Sequence, residues 1–402
     1  MSPVLERFFN GLQLHAEQPA LIEGDRQLNY ADLASEIGAC ADLLRQAGAK
    51  RLALALDNGI DWVLWDLAAL SAGLVCVPLP GFFSADQQQH VLDSAGVDCL
   101  VTADSSVYSP LGFTETANGL LQRTPARIPD LPSGTLKITY TSGTTGQPKG
   151  VCLDADLQLR VAHSLWQASL SCLVEKHLCV LPLATLLENI AGIYAPLLAG
   201  ASIELLPMAQ IGLRGASQFD LPTFLGCLNR LQPHSLILLP QLLLAVVTAA
   251  ERGLPLPKSL RFIAVGGGRV APQLLERADA LGLPVYEGYG LSECASVVCL
   301  NAPGQRHPGT VGKPLAHLEV KLAADGEVLV KGAQMLGYVG EPTDTGEWLA
   351  TGDLGHFDGE FLVLHGRKKH QFITAFGRNV NPEWVESELV QQLPIAQAWL
   401  QG

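Results

Sequence analysis

The sequence predicts an α/β fold in which parallel-rich sheets are flanked by helices. Stretches with apolar residues at helical spacing alternate with short apolar runs of strand character. Repeated strand, helix, strand order favours parallel sheets with helices on their faces and ligands at the strand ends. The 402 residues, 48% of them hydrophobic and 16% charged, allow a large core and more than one structural unit.

The N-terminal part of the chain shows this alternation most clearly. Residues 30–47 carry apolar side chains at helical spacing, and residues 51–55 have the character of a short strand. Residues 62–72 are helical again, and residues 75–78 are strand-like. Several prolines between 105 and 132 indicate an irregular connection.

A loop rich in hydroxyls and glycines follows Leu136, Ile138 and Tyr140, whose alternation predicts a strand that leads into it. Glycines allow consecutive N–H groups to point at one anion, while hydroxyls and a lysine add donors and positive charge. The loop is not a Walker A motif, because Pro148 precedes the lysine and Gly150 follows it. We therefore predict a phosphate-binding loop formed by Thr141, Ser142, Gly143, Thr144, Thr145, Gly146 and Lys149.

The second half of the chain continues the pattern. Residues 262–265 predict a strand that ends at a glycine turn, residues 266–268. This turn imitates part of a dinucleotide-binding fingerprint, but the phosphate loop already accounts for a nucleotide. Residues 327–331 and 361–365 predict two more strands, and residues 348–350 lead into a turn formed by Thr351-Gly-Asp353.

Composition excludes several functional classes. A net charge of −13 argues against nucleic acid as the main partner, because phosphate backbones require clustered Lys and Arg. The nine scattered cysteines fit reduced thiols better than disulfides or a zinc site. No cleavable signal is visible, and the apolar run 236–250 is shorter than the roughly 20 residues that a membrane span needs. We therefore expect a cytoplasmic protein with no integral membrane segment.

Four motifs in consistent order resemble those of the adenylate-forming (ANL) superfamily, which includes AMP-binding acyl-CoA synthetases, luciferases and peptide-synthetase adenylation domains. They are the loop 140–150, Gly288-Tyr-Gly-Leu-Ser-Glu-Cys294, Thr351-Gly-Asp353 and Gly366-Arg-Lys-Lys369. Nearly the whole chain, from about Pro19 to Glu388, follows the family pattern. Within the superfamily, residues 367–386 look most similar to bacterial long-chain fatty acyl-CoA synthetases.

The resemblance implies ATP-dependent adenylation of a carboxylic acid, which forms acyl-AMP and pyrophosphate, followed by acyl transfer to CoA. A fatty acid is the favoured substrate for two reasons. Residues 367–386 look most similar to long-chain synthetases, and the apolar segments 180–198 and 236–250 could line an acyl tunnel, although both also fit ordinary core helices. One alternative is adenylation of an aryl or other acid for an acyl carrier protein. Another is a catalytically weak protein that only binds a nucleotide or an acyl-adenylate.

The resemblance also implies roles for individual residues. A carboxylate approaching the α-phosphorus is repelled until cations and oriented donors neutralise the charge. Catalytic roles are implied for Lys149, Ser292, Glu293 and Arg367, and Glu293 would also hold Mg²⁺, which prefers oxygen ligands. Cofactor-binding roles are implied for the phosphate loop and for Gly267, Gly268, Gly288, Tyr289, Gly290, Asp353 and Lys368.

The resemblance places a hinge at Arg367 and Lys368. It divides the chain into an AMP-binding N-terminal domain, residues 1–366, and the start of a small C-terminal domain, residues 367–402. Asn381-Pro-Glu383 is typical of a helix start in the second part. Relatives use a lysine of the C-terminal domain during adenylation, and no lysine follows Lys369. We therefore expect this domain to be largely missing and the chemistry to be impaired in this form.

Overall fold

The structure is a computed structural model that describes residues 2–141, 147–215, 218–341, 346–370, 372–373, 379–380, 382–390 and 398–400. Most of the predicted phosphate loop, namely Ser142, Gly143, Thr144, Thr145 and Gly146, lies outside the described residues, as does Asn381. The roles predicted for these residues therefore stay predictions.

Eleven α-helices lie in the described part of the chain. They are Pro3–Leu12 (α1), Tyr30–Gln46 (α2), Ile60–Ala72 (α3), Ala85–Ser94 (α4), Ala155–Ser169 (α5), Ala195–Ala199 (α6), Met208–Ile211 (α7), Leu221–Leu231 (α8), Pro240–Glu251 (α9), Pro272–Ala280 (α10) and Pro382–Leu389 (α11). Short 3₁₀ helices are Gln13–His15, Ser105–Val107, Ser109–Leu111, Leu170–Cys172 and Ser292–Cys294. A π-helix, Glu188–Tyr194, leads directly into α6.

The strands are mostly short. They are Pro19–Glu23 (β1), Arg26–Asn29 (β2), Arg51–Ala55 (β3), Val75–Pro78 (β4), Cys99–Thr102 (β5), Thr114–Glu115 (β6), Leu121–Gln122 (β7), Lys137–Thr141 (β8), Lys149–Leu153 (β9), Lys176–Leu178 (β10), Ser202–Glu204 (β11), Leu213–Arg214 (β12), Gln218–Phe219 (β13), Ser235–Leu238 (β14), Phe262–Val265 (β15), Val285–Tyr289 (β16), Cys299–Leu300 (β17), Lys313–Pro314 (β18), Glu319–Leu322 (β19), Glu327–Lys331 (β20), Gly337–Tyr338 (β21), Leu349–Asp358 (β22), Phe361–Arg367 (β23), Phe372–Ile373 (β24) and Asn379–Val380 (β25).

Two large sheets organise the fold. One has nine strands in the order β18-β17-β16-β15-β14-β10-β11-β1-β2, and the run from β16 to β1 is parallel. The other has eight strands in the order β21-β9-β8-β4-β3-β5-β7-β6, and the run from β8 to β5 is parallel. A four-stranded antiparallel sheet has the order β19-β20-β22-β23. The predicted α/β fold with parallel-rich sheets and flanking helices is therefore confirmed.

Both faces of the eight-stranded sheet are buried, because successive side chains along a strand point to opposite faces and pack in different clusters. On β3, Leu52 and Leu54 join the largest buried cluster, which also contains residues of α2, α3 and α5, whereas Ala53 joins a second cluster with residues of α4. The nine-stranded sheet follows the same rule, since Phe262 lies in the largest cluster and Ile263 packs with residues of α8, α9 and α10. Period-two alternation and helices on both sides explain these continuous apolar strands.

Most predicted elements match the observed ones. The helix predicted at 30–47 is α2, and the strands predicted at 51–55, 75–78, 262–265 and 327–331 are β3, β4, β15 and β20. The predicted turn at Thr351-Gly-Asp353 differs, because β22 continues through it with Gly352 at a φ of 73°. The predicted domain boundary after residue 366 falls within β23 and stays a prediction. None of the helices described is long and apolar enough to cross a bilayer.

A buried polar network joins the eight-stranded sheet to the helices above it. Lys137 on β8 and Asp66 on α3 form an ion pair of 2.9 Å in which both side chains are 1% exposed. Tyr194 donates to Asp66 Oδ2 at 2.7 Å, and Asn189 Nδ2 donates to the same oxygen at 3.0 Å. Lys137 Nζ donates to Tyr194 Oη at 3.0 Å and to Asn189 Oδ1, and Cys76 donates to Asp66 Oδ1 at 3.3 Å. Such a network is stable only when each member has a partner.

We expect Lys137→Ala to reduce the free energy of unfolding by about 3–5 kcal/mol, because it leaves the buried Asp66 carboxylate without its cation. Urea unfolding monitored by circular dichroism measures this change. The matched control is Arg45→Ala, which breaks an exposed pair with Asp42 and should cost less than about 1 kcal/mol. Equal losses in the two variants would contradict the structural role of the network.

Candidate active site

A cavity of about 300 Å³ lies between the nine-stranded sheet and the helices that cover one of its faces. Its floor includes Ile237 of β14 and Ala264 of β15, and its roof includes residues of α5, the π-helix and α6. Ala191, Ala195 and Ala199 all line the roof, and their small side chains leave room for a ligand. A concave site of this kind, mainly apolar with few polar groups, is typical of a small-molecule pocket.

The two segments predicted to line an acyl tunnel contribute unequally to this cavity. Segment 180–198 lines it over several residues, among them Thr185, Leu186 and Ala191. Segment 236–250 contributes only Leu236 and Ile237 of β14 among the residues that line this cavity. Side chains of α9, including Leu243 and Val247, pack instead in the cluster shared with α8 and α10. Most of the second segment is therefore ordinary core.

Two glycine-rich turns form the end of the cavity at the carboxyl ends of β15 and β16. Gly267, Gly288 and Gly290 line it as predicted, whereas Gly268 is absent from its lining residues. A Cβ atom at position 290 would lie 1.5 Å from the carbonyl oxygen of Ser296, so any side chain there would displace the backbone. Gly267 has a φ of 75°, which also favours glycine. Both turns thus keep backbone close to the space where a ligand would bind.

Three predicted site residues from separate strands meet beside this end. Tyr289 Oη donates to Asp353 Oδ2 at 2.6 Å, and Arg367 Nε donates to Asp353 Oδ1 at 2.8 Å. Burial and the Asp353 carboxylate raise the pKa of Tyr289 above its usual value, so the phenol stays a neutral donor. Asp353 itself is 6% exposed and receives a fixed orientation from these contacts. Such a carboxylate only accepts hydrogen bonds, which suits it to ribose hydroxyls.

Ser292 and Glu293 follow the second glycine turn in a short 3₁₀ helix. Ser292 lines the cavity, and Glu293 Oε1 accepts a hydrogen bond of 2.9 Å from Tyr338. The two residues that follow this helix, Ala295 and Ser296, have φ values of 53° and 100°. Positive φ at residues other than glycine costs on the order of 1–3 kcal/mol each and is concentrated at functional sites. The backbone strain therefore lies next to the predicted magnesium ligand.

Lys149 lies on the other side of Tyr338. Its Nζ is 5.1 Å from the Tyr338 ring centroid and forms an ion pair of 2.9 Å with Glu341. Thr141 and Lys149 pair at the ends of β8 and β9, so both flank the loop that connects these strands. Lys149 and Glu341 are about half exposed, at 48% and 47%. The lysine could therefore exchange this carboxylate for another anion at low cost.

Lys368, which is predicted to bind the cofactor, forms ion pairs with two acidic residues in the structure. Its Nζ donates to Asp325 Oδ2 at 2.6 Å and to Glu327 Oε2 at 2.9 Å, and these bonds raise its pKa to about 12. Its backbone N–H donates to the Gly352 carbonyl at 2.8 Å. The side chain thus joins β23 to the β19–β20 hairpin. Its role in cofactor binding stays a prediction.

Sequence reasoning missed Tyr338 and Glu341, which join the predicted Lys149 and Glu293. No motif contains either residue, and the ion pair of Lys149 with Glu341 spans 192 positions. The pairing follows from β21, which adds to the edge of the eight-stranded sheet beside β9. Only a tertiary structure reveals contacts of this kind.

Glu287 is a buried carboxyl beside the second glycine turn. Burial raises its pKa from the usual 4.5 to about 8, although Arg269, the Val270 N–H and Arg306 oppose the shift. The group is 8% exposed. Cys294, which follows Glu293 in the chain, is buried as well, and this burial raises the pKa of its thiol, so a nucleophilic role for that cysteine is not favoured.

A family model described as "AMP-binding enzyme" matches residues 8–341. The chain belongs to this family. The matched residues include the cavity and, of the predicted motifs, the loop 140–150 and Gly288–Cys294. The prediction of an AMP-forming acid–thiol ligase that uses ATP, Mg²⁺ and CoA is therefore confirmed at the level of the family.

Known proteins similar to this chain include ligases for aromatic acids. The 2-succinylbenzoate–CoA ligase of Bacillus cereus (strain AH820) is 28% identical, over 97% of this chain and 83% of the relative. The O-succinylbenzoate coenzyme A synthetase of Bacillus subtilis in complex with AMP has a TM-score of 0.80 at 25% identity, over 100% of this chain and 86% of that one. The same synthetase in complex with ATP and magnesium has a TM-score of 0.79 at 25% identity, over 97% and 85%.

These similarities correct the finer predictions. The expected likeness to long-chain fatty acyl-CoA synthetases is wrong, because the similar proteins are 2-succinylbenzoate–CoA ligases. Fatty acid metabolism is likewise not supported, and neither is an acyl carrier protein as acceptor. The misleading segment, residues 367–386, lies beyond the part that the family model matches, and residues 371, 374–378 and 381 of it are outside the described residues.

We expect Lys149→Ala and Glu293→Ala each to weaken Mg-ATP binding by roughly tenfold or more, since each removes a charged contact. Isothermal titration calorimetry measures the affinity. Lys313→Ala and Glu360→Ala are matched controls, because this pair lies at the surface and outside the cavity lining. Unchanged affinity in both site variants would contradict the assignment of these residues.

We expect the free energy of unfolding of the unmodified protein to decrease as the pH rises from 5 to 8, and we expect Glu287→Gln to reduce this decrease. The folded state raises the Glu287 pKa to about 8, so folding favours the protonated form. The stabilisation that Glu287 contributes to the folded state, on the order of a few kcal/mol, is complete below about pH 4.5 and is lost as the pH rises towards 8. Urea unfolding at pH 5 and pH 8 should therefore show a smaller decline for the variant than for the unmodified protein.

The matched control for this pH dependence is Glu360→Gln, which changes an exposed carboxylate. It should leave the decline between pH 5 and pH 8 unchanged. A Glu287→Gln variant whose stability falls as steeply as that of the unmodified protein would show that Glu287 is ionised in the folded state at both pH values.

Proposed function

We propose that this chain activates a compact aromatic carboxylic acid of the 2-succinylbenzoate class with ATP and transfers the acyl group to CoA. The observation that supports this most directly is the cavity lined by Gly288, Tyr289, Gly290, Leu291 and Ser292. Its volume of about 300 Å³ is at the lower end of small-molecule pockets, so it favours a compact acid over a long acyl chain. The similar 2-succinylbenzoate–CoA ligases support the same substrate class.

In the first step, a carboxylate oxygen of the acid would bond to the α-phosphorus of ATP. The bond from this phosphorus to the oxygen of the leaving pyrophosphate breaks. Lys149 would exchange Glu341 for phosphate oxygens and so reduce the repulsion between the two anions. Ser292, at the cavity wall, would donate its hydroxyl hydrogen to the α-phosphate.

The nucleotide would be held by residues that are already oriented. Asp353, fixed by Tyr289 and Arg367, would accept hydrogen bonds from the ribose hydroxyls. The ring of Tyr289 borders the cavity and would stack on adenine. Because these groups need no rearrangement, little of the binding free energy would be lost in ordering them.

Glu293 fits the role of a magnesium ligand. Its carboxylate lies beside the cavity end and is oriented by Tyr338, and carboxylate oxygens are ligands that Mg²⁺ prefers. When bound there, the ion would neutralise phosphate charge in the first step.

In the second step, the sulfur of CoA would bond to the acyl carbonyl carbon, and the bond from that carbon to the phosphate oxygen breaks. The products are a thioester and AMP, and the thiol proton passes to solvent. The cavity would shield the acyl-adenylate from water between the steps.

The test is mass spectrometry of acyl-adenylates and thioesters after incubation with Mg-ATP and CoA. We expect 2-succinylbenzoate to give both products, with a kcat/KM at least tenfold above that of hexadecanoate. The Lys149→Ala variant serves as the control for reaction at this site and should form less adenylate. A preference for hexadecanoate would overturn the substrate class, and no adenylate from any acid would favour the binding-only alternative.

A further inference from the structure

The end of the cavity opposite the glycine turns holds polar side chains to which the proposed reaction gives no role. His177 on β10 and Ser235 on β14 both line it and lie side by side across this parallel strand pair. His177 Nδ1 is 2.8 Å from Ser235 Oγ. On the other side of the ring, Nε2 is 3.3 Å from Oε1 of Glu188, the first residue of the π-helix. All three side chains are almost completely buried.

The position of this group suits the recognition of a distant substituent. Ser235 pairs with Phe262 at the start of β15, whereas Gly266 follows the end of that strand at the nucleotide side. Four residues of strand correspond to about 13 Å. A ligand that is activated at the glycine turns could therefore reach the polar group with its opposite end.

The backbone is arranged to hold Glu188 there. Oε2 of Glu188 accepts the Leu181 N–H at 3.2 Å, which orients the carboxylate. A Cβ atom at position 192 would lie 2.5 Å from Glu188 Oε1 and 3.0 Å from His177 Nε2, so Gly192 is required for their approach. Burial of a carboxylate, an imidazole and a hydroxyl costs free energy of desolvation. Apolar side chains would close this end of the cavity equally well without that cost.

We propose that Glu188, His177 and Ser235 form a relay that recognises a second polar group of the acid, the group that is not activated. This inference rests on the proposed function and names the specificity residues of the same site. A carboxylate at Glu188 only accepts, so it selects the tautomer that carries Nε2–H, and the neutral imidazole in this tautomer accepts the Ser235 hydroxyl hydrogen at Nδ1. Ser235 Oγ then presents its lone pairs to the cavity.

A ligand carboxylate would reverse this polarity if one proton is taken up from solvent when it binds. That proton would occupy His177 Nδ1, so that Nδ1–H donates to Ser235 Oγ and the hydroxyl hydrogen points into the cavity as a donor. The imidazolium charge is balanced by Glu188, so the relay can meet an anion without leaving a buried charge unpaired. The ring carboxylate of 2-succinylbenzoate has the chemistry that this state of the relay binds.

Cys179 lies close to the relay. The donor atoms of His177, Cys179 and Glu188 all lie within 4.8 Å of one another, a spacing that a metal site would share. The Cys179 Sγ donates to the Gly192 carbonyl at 3.6 Å, and burial raises the pKa of the Cys179 thiol. Both observations favour a hydrogen-bonded thiol over a metal ligand, which would be a thiolate.

The experiment compares two acids in steady-state adenylation. They are 2-succinylbenzoate and 4-oxo-4-phenylbutanoate, which is the same acid without the ring carboxylate. Ser235→Ala should raise KM for 2-succinylbenzoate roughly tenfold or more and leave KM for 4-oxo-4-phenylbutanoate and for ATP unchanged. Ser235→Thr, which keeps a hydroxyl, should restore most of the difference.

Ser202→Ala is the matched control. Ser202 is outside the cavity lining, and its hydroxyl donates to the Glu175 carbonyl at 3.1 Å and takes no part in the relay. This variant should leave both KM values unchanged. Equal changes for the two acids in Ser235→Ala, or no change in either, would overturn the relay.

The same data separate this inference from the proposed function. If the unmodified protein adenylates a different acid with a distal polar group, the substrate class fails, and the comparison is repeated with that acid and its analogue without the group. If it prefers acids without any distal polar group, such as hexadecanoate, the relay is overturned together with the substrate. If zinc is retained stoichiometrically by the unmodified protein and lost in His177→Gln, the three donor atoms form a metal site and the relay is overturned.

Discussion

The ion pair between Lys137 and Asp66 is the constraint on which the rest of the structure depends. Lys137 begins the strand that leads to Thr141 and the predicted phosphate loop, and Asp66 lies on the helix that precedes β4. Asn189 and Tyr194 complete the network from the π-helix, which forms part of the cavity roof. One buried network therefore holds both the strand that leads into the predicted phosphate loop and the roof of the cavity. Its cost in desolvation is offset only because all its members are paired.

In the candidate site, too, charged side chains are held in place by hydrogen-bonding or ion-pair partners. Tyr289 and Arg367 both bind Asp353, and Tyr338 contacts both Glu293 and Lys149. Charged groups that would meet a nucleotide are thus already held by neighbours from other strands. Preorganised donors of this kind need little rearrangement when charge develops, which is the main source of electrostatic catalysis.

Local patterns predicted the elements but not their contacts. Strands such as β3, β4, β15 and β20 follow directly from short apolar runs. Asp353 and Arg367 were identified by their order along the chain, yet their ion pair depends on the register of the β22–β23 hairpin. His177 and Ser235 could not be paired from sequence, because 58 positions separate them and a one-residue slip would turn one of them away. The fatty acid prediction failed because it used one short resemblance, residues 367–386, and two apolar segments, whereas the cavity is lined by residues from many segments.

The π-helix explains why two partners of the network are five residues apart. In an α-helix, residues i and i+5 point about 140° apart around the axis, so Asn189 and Tyr194 could not both reach Asp66. The i to i+5 hydrogen bonds of a π-helix stack these positions on one side. A π-helix amounts to one residue inserted into an ordinary helix. Loss of a single residue from this segment would therefore rotate Ala195 and Ala199 away from the pocket, so the pocket's dimensions can be reset by an indel and not only by substitutions.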